Sequence, residues 1–380
     1  MTDPPPLAEL AAGAGLRPPR SLTLAITGGC NLRCRHCFVK AGLPTAAGDA
    51  PLEKVLRLAD EFAALGGETL CITGGEPLSH PEWHAILSHC CSLPSLTTVR
   101  VQTNAGLLDD SRMAGLRALP AEKLSFQVSL DGTSQRTHDR VRGKGSFGKT
   151  TAGIKRLVAA GLASRVSLAF TEMRHNMEDV PELLELVDRL GLRAAVGGTL
   201  VKHGNATKAD LEPPTPDQYR ALLSRYHADE RFRGLYDGYG RFSAIEWWKG
   251  RSHVRGEPCA FFDHTYVTAE GQIYPCLLCH ADDFAVGRAF ERPLASALTE
   301  GIPKWSELVQ LARQRSENLS ECRDCPARLA CGGGCMGRAL SASGTFAAVE
   351  DRCELRRAVH SWRADDDDGL LVHPPRAVGL

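Results

Sequence analysis

Three cysteines stand at a spacing suited to metal chemistry in the stretch Thr27-Gly28-Gly29-Cys30-Asn31-Leu32-Arg33-Cys34-Arg35-His36-Cys37-Phe38. Thiolates four and three residues apart can converge on one face of a compact loop. A structural zinc site or a fully ligated four-iron cluster takes four protein ligands. Three ligands on a four-iron cluster leave one iron open to a small molecule. A second concentration runs from Cys259 through Gly271 to Cys276, as C-x11-G-x4-C. It continues through Cys322, Cys325, Cys331 and Cys335, as C-x2-C-x5-C-x3-C, and closes at Cys353. Pairs of the C-x2-C kind bind zinc as well as iron, and spacing leaves both metals open. Cys279 follows Cys276 at the separation that commonly lets two thiolates reach one cluster. Cys71, Cys90 and Cys91 sit in a strand-like run and at the end of a helix-like one, and read as small buried side chains.

Such groups need a frame to hold them. Short β-branched or apolar runs recur at 22–27, 69–73, 97–103, 124–130, 165–171 and 192–196, with amphipathic segments between most of them. In one, Leu52, Val55, Leu56, Ala59 and Phe62 repeat at helical spacing behind Pro51; another covers 180–190. Strands separated by helices imply βα units on a parallel sheet. Six units are too few for an eight-fold barrel, so an α/β partial (β/α)6 barrel or an open sheet is expected over 21–202. The cysteine loop then follows the first strand, at the carboxyl end where such sheets place chemistry. Residues 1–20, rich in Pro, Ala and Gly, read as a flexible lead-in, and 203–257, with Tyr236, Tyr239, Trp247 and Trp248, as a connector. A Cys-rich domain is expected over 258–357. An acidic tail follows over 358–380, with Asp365 to Asp368 and then Pro374 and Pro375.

The first loop resembles the CxxxCxxC signature of radical S-adenosylmethionine (SAM) enzymes, and further strand ends extend the resemblance. Strand two ends in Thr73-Gly74-Gly75-Glu76-Pro77, strand three in Gln102-Thr103-Asn104-Ala105 and strand four in Ser129-Leu130-Asp131-Gly132. The run from Thr137 to Gly143 fits as well. The resemblance implies that Cys30, Cys34 and Cys37 hold a [4Fe–4S] cluster and that Gly74, Gly75 and Glu76 hold the SAM amino group. It places Asn104 and Ser129 near the ribose, pairs Arg142 with the SAM carboxylate and packs Leu200 on the adenine. His36 takes a position where the family has an aromatic residue, and packing is its expected role.

The later cysteines resemble the seven-cysteine SPASM domain, which extends radical SAM enzymes that modify peptides and form peptide-derived cofactors. That resemblance implies two auxiliary [4Fe–4S] clusters, three clusters in all. Cys259, Cys276 and Cys335 would serve the first auxiliary cluster, with Cys279 as its fourth ligand, and Cys322, Cys325, Cys331 and Cys353 the second. A reactive thiol near an open cluster and a bystander are the other readings of Cys279.

The 45 basic and 45 acidic residues among 380 cancel, which argues against binding nucleic acid by net charge. No run approaches the roughly 20 apolar residues of a membrane span, and the N-terminus lacks a secretory pattern, so a cytoplasmic protein is expected. In that reducing compartment, 14 cysteines read as ligands and core residues rather than disulfides. The resemblance implies an oxidoreductase-type enzyme. It would cleave SAM reductively to a 5′-deoxyadenosyl radical for oxidative modification or crosslinking of a ribosomal peptide or peptide-derived cofactor. Radical modification of a sugar, nucleoside or tetrapyrrole is the alternative, and a non-enzymatic iron–sulfur or zinc scaffold a remote one. Leu277 and Leu278 stand where sulfatase-maturating enzymes carry an aspartate base, which disfavours that activity. The short stretch before the first strand is too small for a fused leader-binding domain. A peptide substrate would then need a separate peptide-recognition protein or direct docking, and a flavodoxin- or ferredoxin-type reductant is the other expected partner. Asp263, His264, Glu246 and Tyr274 are possible acid, base or radical partners, each better read as surface charge or packing.

Overall fold

A computed structural model describes residues 6–42, 48–255, 259, 261–280 and 282–364. Six parallel strands carry the fold: β1 (Ser21–Ala25), β2 (Thr69–Thr73), β3 (Thr98–Thr103), β4 (Leu124–Ser129), β5 (Val166–Glu172) and β6 (Ala194–Thr199). They lie side by side in chain order, each joined to the next by helical crossovers. Parallel sheets are covered on both faces, and strand residues such as Leu24, Val99, Val101, Phe126, Val128 and Leu168 are accordingly buried. The expected partial (β/α)6 barrel is present.

The helices follow their sequence cues. Leu52–Ala64 starts behind Pro51 and buries Val55, Leu58, Ala59 and Phe62. Val180–Leu190 has Pro181 in its first turn and ends on Gly191 at φ +63°, a left-handed conformation that glycine adopts without Cβ strain.

Three further strands lengthen the sheet beyond the six expected. β7 (Gly240–Arg241) pairs in parallel with β6, and β8 (His264–Val267) in parallel with β1, while β9 (Ile273–Tyr274) returns antiparallel to β8. β8, a few residues beyond Cys259, therefore lies beside the strand that leads into the first cysteine loop. The stretch expected as a connector is largely helical, as Pro216–Ala228, Glu230–Tyr239 and Ser243–Lys249. The first of these opens with a capping box between Thr215 and Gln218.

The expected flexible lead-in is corrected from residue 6 onward. Leu7–Gly13 is a helix whose Leu7 and Ala11 are buried against the long helix Leu294–Asn318. Ser306 donates to the carbonyl of Ala14 at 2.7 Å. At the other end, Cys353–Ser361 is helical and Trp362 is buried, so ordered packing passes the expected start of the tail. Asp365 to Asp368, Pro374 and Pro375 lie outside the described residues, as do residues 1–5. Among the described residues, no helix is long and apolar enough to cross a membrane.

Candidate active site and cysteine centres

The first cysteine loop leaves β1 and folds back over the carboxyl end of the sheet. Its entry touches the turn after β2: Gly75 donates to the carbonyl of Thr27 at 2.7 Å, and Glu76 to that of Gly29 at 2.8 Å. Only glycine fits here. A Cβ on Gly74 would lie 2.4 Å from the Thr27 oxygen, and one on Gly75 2.0 Å from the Gly29 oxygen. The far side of the loop is held from β6. Asn205 donates through its backbone to the carbonyl of Cys37 at 2.9 Å and through its amide to that of Cys34 at 3.0 Å.

Cys30, Cys34 and Cys37 are half-buried neighbours. Burial pushes the Cys30 thiol up to about 11, and Glu76, Cys34 and Cys37 add to the rise. Three thiolates held this close need a cationic centre among them. Among the described residues, no group of His, Cys, Asp and Glu closes to the distances of a single metal ion.

Glu76 is buried, and its carboxylate is largely taken up by the protein. Oε1 accepts from Thr103 Oγ1 at 2.6 Å and from the backbone of Leu78 at 3.2 Å, and Oε2 from the backbone of Asn104 at 2.7 Å. Burial raises its pKa above the ordinary value despite these bonds. Glu76 thus pins the end of β2 to the end of β3, a task that the motif alone does not reveal. Asn104 donates its side-chain amide to Asn31 in the cysteine loop at 2.8 Å. Ser129 closes β4, half-buried.

Arg142 lies beside the loop, with Nη1 4.0 Å from the sulfur of Cys34. Its Nε donates to Oδ2 of Asp131 at 2.6 Å, and Nε2 of His36 stands 3.2 Å from the same oxygen. The other Asp131 oxygen accepts the backbone of Thr171 at 2.7 Å. Burial opposes ionisation of Asp131, but the charges of Arg142 and His36 and these bonds outweigh it and hold the carboxyl well below its usual range. Arg142 is thereby fixed with its two terminal nitrogens facing the cysteine loop. His36 does more than the packing expected of it, since it shares the anchor of Arg142. His138, pushed down to about 4 first by burial and then by Arg142, accepts from the backbone of Asp131 through Nδ1. Leu200 is buried in a small cluster with Val141, Met173, Ala206 and Leu211. Its carbonyl accepts from Arg338 of the C-terminal domain at 2.6 Å, as does that of Thr199 at 2.9 Å.

The C-terminal cysteines form two groups. Cys322, Cys325, Cys331 and Cys353 line one cavity. Burial raises the Cys322 thiol, and the other three add to it. Cys259, Cys276, Cys279 and Cys335 form the other. Burial pushes Cys259 up to about 12, with Cys335 and Cys276 contributing, and Cys279 is fully buried and hydrogen-bonded to Cys276, which raises it. Cys279 is therefore brought together with the three thiols expected around it. Each group offers four sulfurs in a buried setting, the donor set of a four-iron cluster.

Cys71 is buried within β2 and Cys90 and Cys91 in the main core; burial pushes them up to about 11, 12 and 11, and they take no part. The other polar candidates have structural partners. Glu246 accepts from Tyr236, Tyr274 donates to Asp282, and His264 is exposed beside Asp263. Asp131, Asn205 and Arg338 escaped sequence reasoning. Asp131 stood inside a motif without a signal of its own, and nothing near Asn205 or Arg338 marks them.

The family model of the radical SAM superfamily matches residues 24–187, and that of an iron–sulfur cluster-binding domain, SPASM, matches 259–326. The chain is 27% identical over 354 residues to the AdoMet-dependent heme synthase of Methanosarcina barkeri, covering 89% of this chain and 97% of that protein. It is 28% identical over 319 residues to the antilisterial bacteriocin subtilosin biosynthesis protein AlbA of Bacillus subtilis, covering 83% and 67%. To the PqqA peptide cyclase of Methylobacterium sp. it is 28% identical over 352 residues, covering 89% and 86%. Among solved structures, anSMEcpe with bound AdoMet shares the fold at a TM-score of 0.70 and 18% identity, covering 90% of this chain and 92% of that one.

Proposed function

The chain is a radical SAM enzyme with a C-terminal SPASM domain, and from that premise we propose that it oxidatively modifies or crosslinks a ribosomally made peptide. When bound, the first cluster and SAM supply a 5′-deoxyadenosyl radical that removes hydrogen from an unactivated carbon. The observation that carries this reading is the meeting of three neighbouring thiols with the Gly74–Glu76 turn and Arg142 at one end of the sheet.

In this reading Cys30, Cys34 and Cys37 hold the SAM-binding cluster, and the backbone of Gly74 and Gly75 receives the SAM amino group while Glu76 braces the turn. Arg142, steadied by Asp131, receives the carboxylate. Asn104 and Ser129 face the ribose, and Leu200 backs the adenine. Cys259, Cys276, Cys279 and Cys335 hold one auxiliary cluster, and Cys322, Cys325, Cys331 and Cys353 the other. The names of AlbA and the PqqA peptide cyclase support a peptide as substrate. A flavodoxin- or ferredoxin-type reductant, a separate peptide-recognition protein and a cytoplasmic setting belong to the same proposal. A second reading, radical chemistry on a small molecule such as a tetrapyrrole, draws on the heme synthase, whose length this chain nearly spans.

The test is iron and product analysis after anaerobic reconstitution. Three clusters give about twelve irons per chain, and the combined Cys30→Ala, Cys34→Ala and Cys37→Ala variant gives about eight and releases no 5′-deoxyadenosine from SAM. With a peptide encoded beside the gene and deuterated at its side chains, label appears in 5′-deoxyadenosine. Label from a tetrapyrrole and none from the peptide sinks the peptide reading. About four irons with zinc sinks the auxiliary clusters.

A further inference from the structure

Glu350 touches both cysteine groups of the C-terminal domain. Its side chain is buried, and Oε2 accepts the backbone N–H of Cys335, a thiol of one group, at 3.0 Å. The same side chain lines the cavity of Cys322, Cys325, Cys331 and Cys353. Two guanidinium groups fix it there: Arg352 donates to Oε2 at 2.6 Å, and Arg356 donates to Oε1. Arg356 also lines the cavity, and its guanidinium carbon lies 4.1 Å from the centroid of the Trp247 ring. Arg352 stands over that ring at 5.2 Å. Gly334 makes room for the carboxylate, since a Cβ there would lie 2.7 Å from its Cδ.

Glu350 thus places a negative charge between the two groups, held by the positive charges of Arg352 and Arg356. Stability does not require this, because a buried ion triad is often matched or bettered by well-packed apolar side chains. A redox centre does respond to it. Net charge and hydrogen bonds around a cluster set its potential, and a charge buried between two centres acts on both.

We propose that Glu350, held by Arg352 and Arg356, is a shared positioning residue that sets the reduction potentials of the two auxiliary clusters together. This rests on the reading that both cysteine groups hold [4Fe–4S] clusters. A negative charge at Glu350 makes adding an electron harder at both sites. Arg356 opposes it chiefly at the site whose cavity it lines.

The experiment is a redox titration followed by electron paramagnetic resonance, on the full chain reconstituted with Cys30, Cys34 and Cys37 replaced by Ala, so that only auxiliary signals remain. The couple of the Cys322 group is assigned by its loss in Cys325→Ala. Glu350→Gln, nearly isosteric, moves both couples positive by at least a tenfold change in the oxidised-to-reduced ratio, about 59 mV for one electron. Glu350→Asp keeps the charge and returns both towards the parent values. Arg356→Gln moves the Cys322 couple negative and the other less. A Glu350→Gln protein that keeps its irons while either couple stays put overturns the proposal, as does Glu350→Asp behaving like Glu350→Gln. If Glu350→Gln sheds iron, Arg356→Gln decides: a negative shift at the Cys322 couple supports the bridge, and an unmoved couple overturns it. A parent protein with fewer than about eight auxiliary irons fails the cluster reading itself, and the bridge with it.

Discussion

Asp131 does for Arg142 what no single motif residue does alone. The guanidinium is long and flexible, and a carboxylate 2.6 Å from Nε fixes its plane and turns its terminal nitrogens to the cysteine loop, where Nη1 stands 4.0 Å from the sulfur of Cys34 and Nη2 3.5 Å from Nε2 of His36. Asp131→Asn keeps the shape and removes the charge, which leaves a buried guanidinium without its counter-ion. Breaking such a pair costs roughly 3–5 kcal/mol. Denaturant unfolding shows a loss of that size, and SAM affinity falls with it; an unchanged midpoint sinks the assigned role. The pH dependence follows from the direction of the shift. Since the folded carboxyl titrates below its ordinary value of about 3.9, its contribution is complete above that value and fades as pH falls below it. The pairing was not legible in the sequence, because a buried aspartate at a strand end looks the same as an exposed one until its partners arrive from Arg142, His36 and Thr171. The cysteines were legible because their chemistry is written in spacing alone.

Among the elements, the β1 and β2 ends define the site by how closely they meet. Gly75→Ala drives a Cβ against the Gly29 carbonyl, and overpacking of this kind costs about 1–3 kcal/mol. Because the displaced loop carries Cys30, iron at the first site falls together with the melting temperature. Gly148→Ala is the contrast: its Cβ meets nothing within 4 Å in the helix Ser146–Ala159, and the substitution stabilises by about 0.4–1 kcal/mol. Equal effects of the two would remove the close approach as the cause. The strands β1 to β6 were readable because each carries a short β-branched or apolar run between helical segments, even though β3 and β5 alternate buried and half-buried residues. β7 and β9 were not, being two residues each, and β8 was hidden because its four residues gain their pairing from distant β1. The helices of 216–249 were missed for a related reason: their aromatic and polar residues pack on one another, as Tyr226 does on Tyr236 with centroids 5.4 Å apart, rather than showing a plain apolar stripe.

Across the whole molecule, Arg338 joins the two halves. It donates to the carbonyls of Thr199 and Leu200 at the end of β6 and is held by both oxygens of Asp351 at 2.6 and 2.7 Å. Arg338→Ala removes these ties and frees the strand end expected behind the adenine. Hydrogen bonds from charged donors contribute about 1.5–3 kcal/mol. SAM binding measured by calorimetry weakens about tenfold, near 1.4 kcal/mol, with iron content unchanged. Unaltered affinity would show that the tie serves the auxiliary domain alone.

The pairing of Ser21 with His264 has a consequence in time as well as in space. A ribosome working at roughly 5–20 residues per second delivers β8 about ten to fifty seconds after β1. Through that interval the first strand shows an open edge, with unpaired N–H and C=O groups that invite another chain. Helix Leu294–Asn318, which caps the N-terminal helix, arrives later still. The newborn enzyme therefore passes its most vulnerable period with its first cysteine loop attached to an unfinished edge, which is sealed only once the chain has passed Cys259 and β8 has emerged.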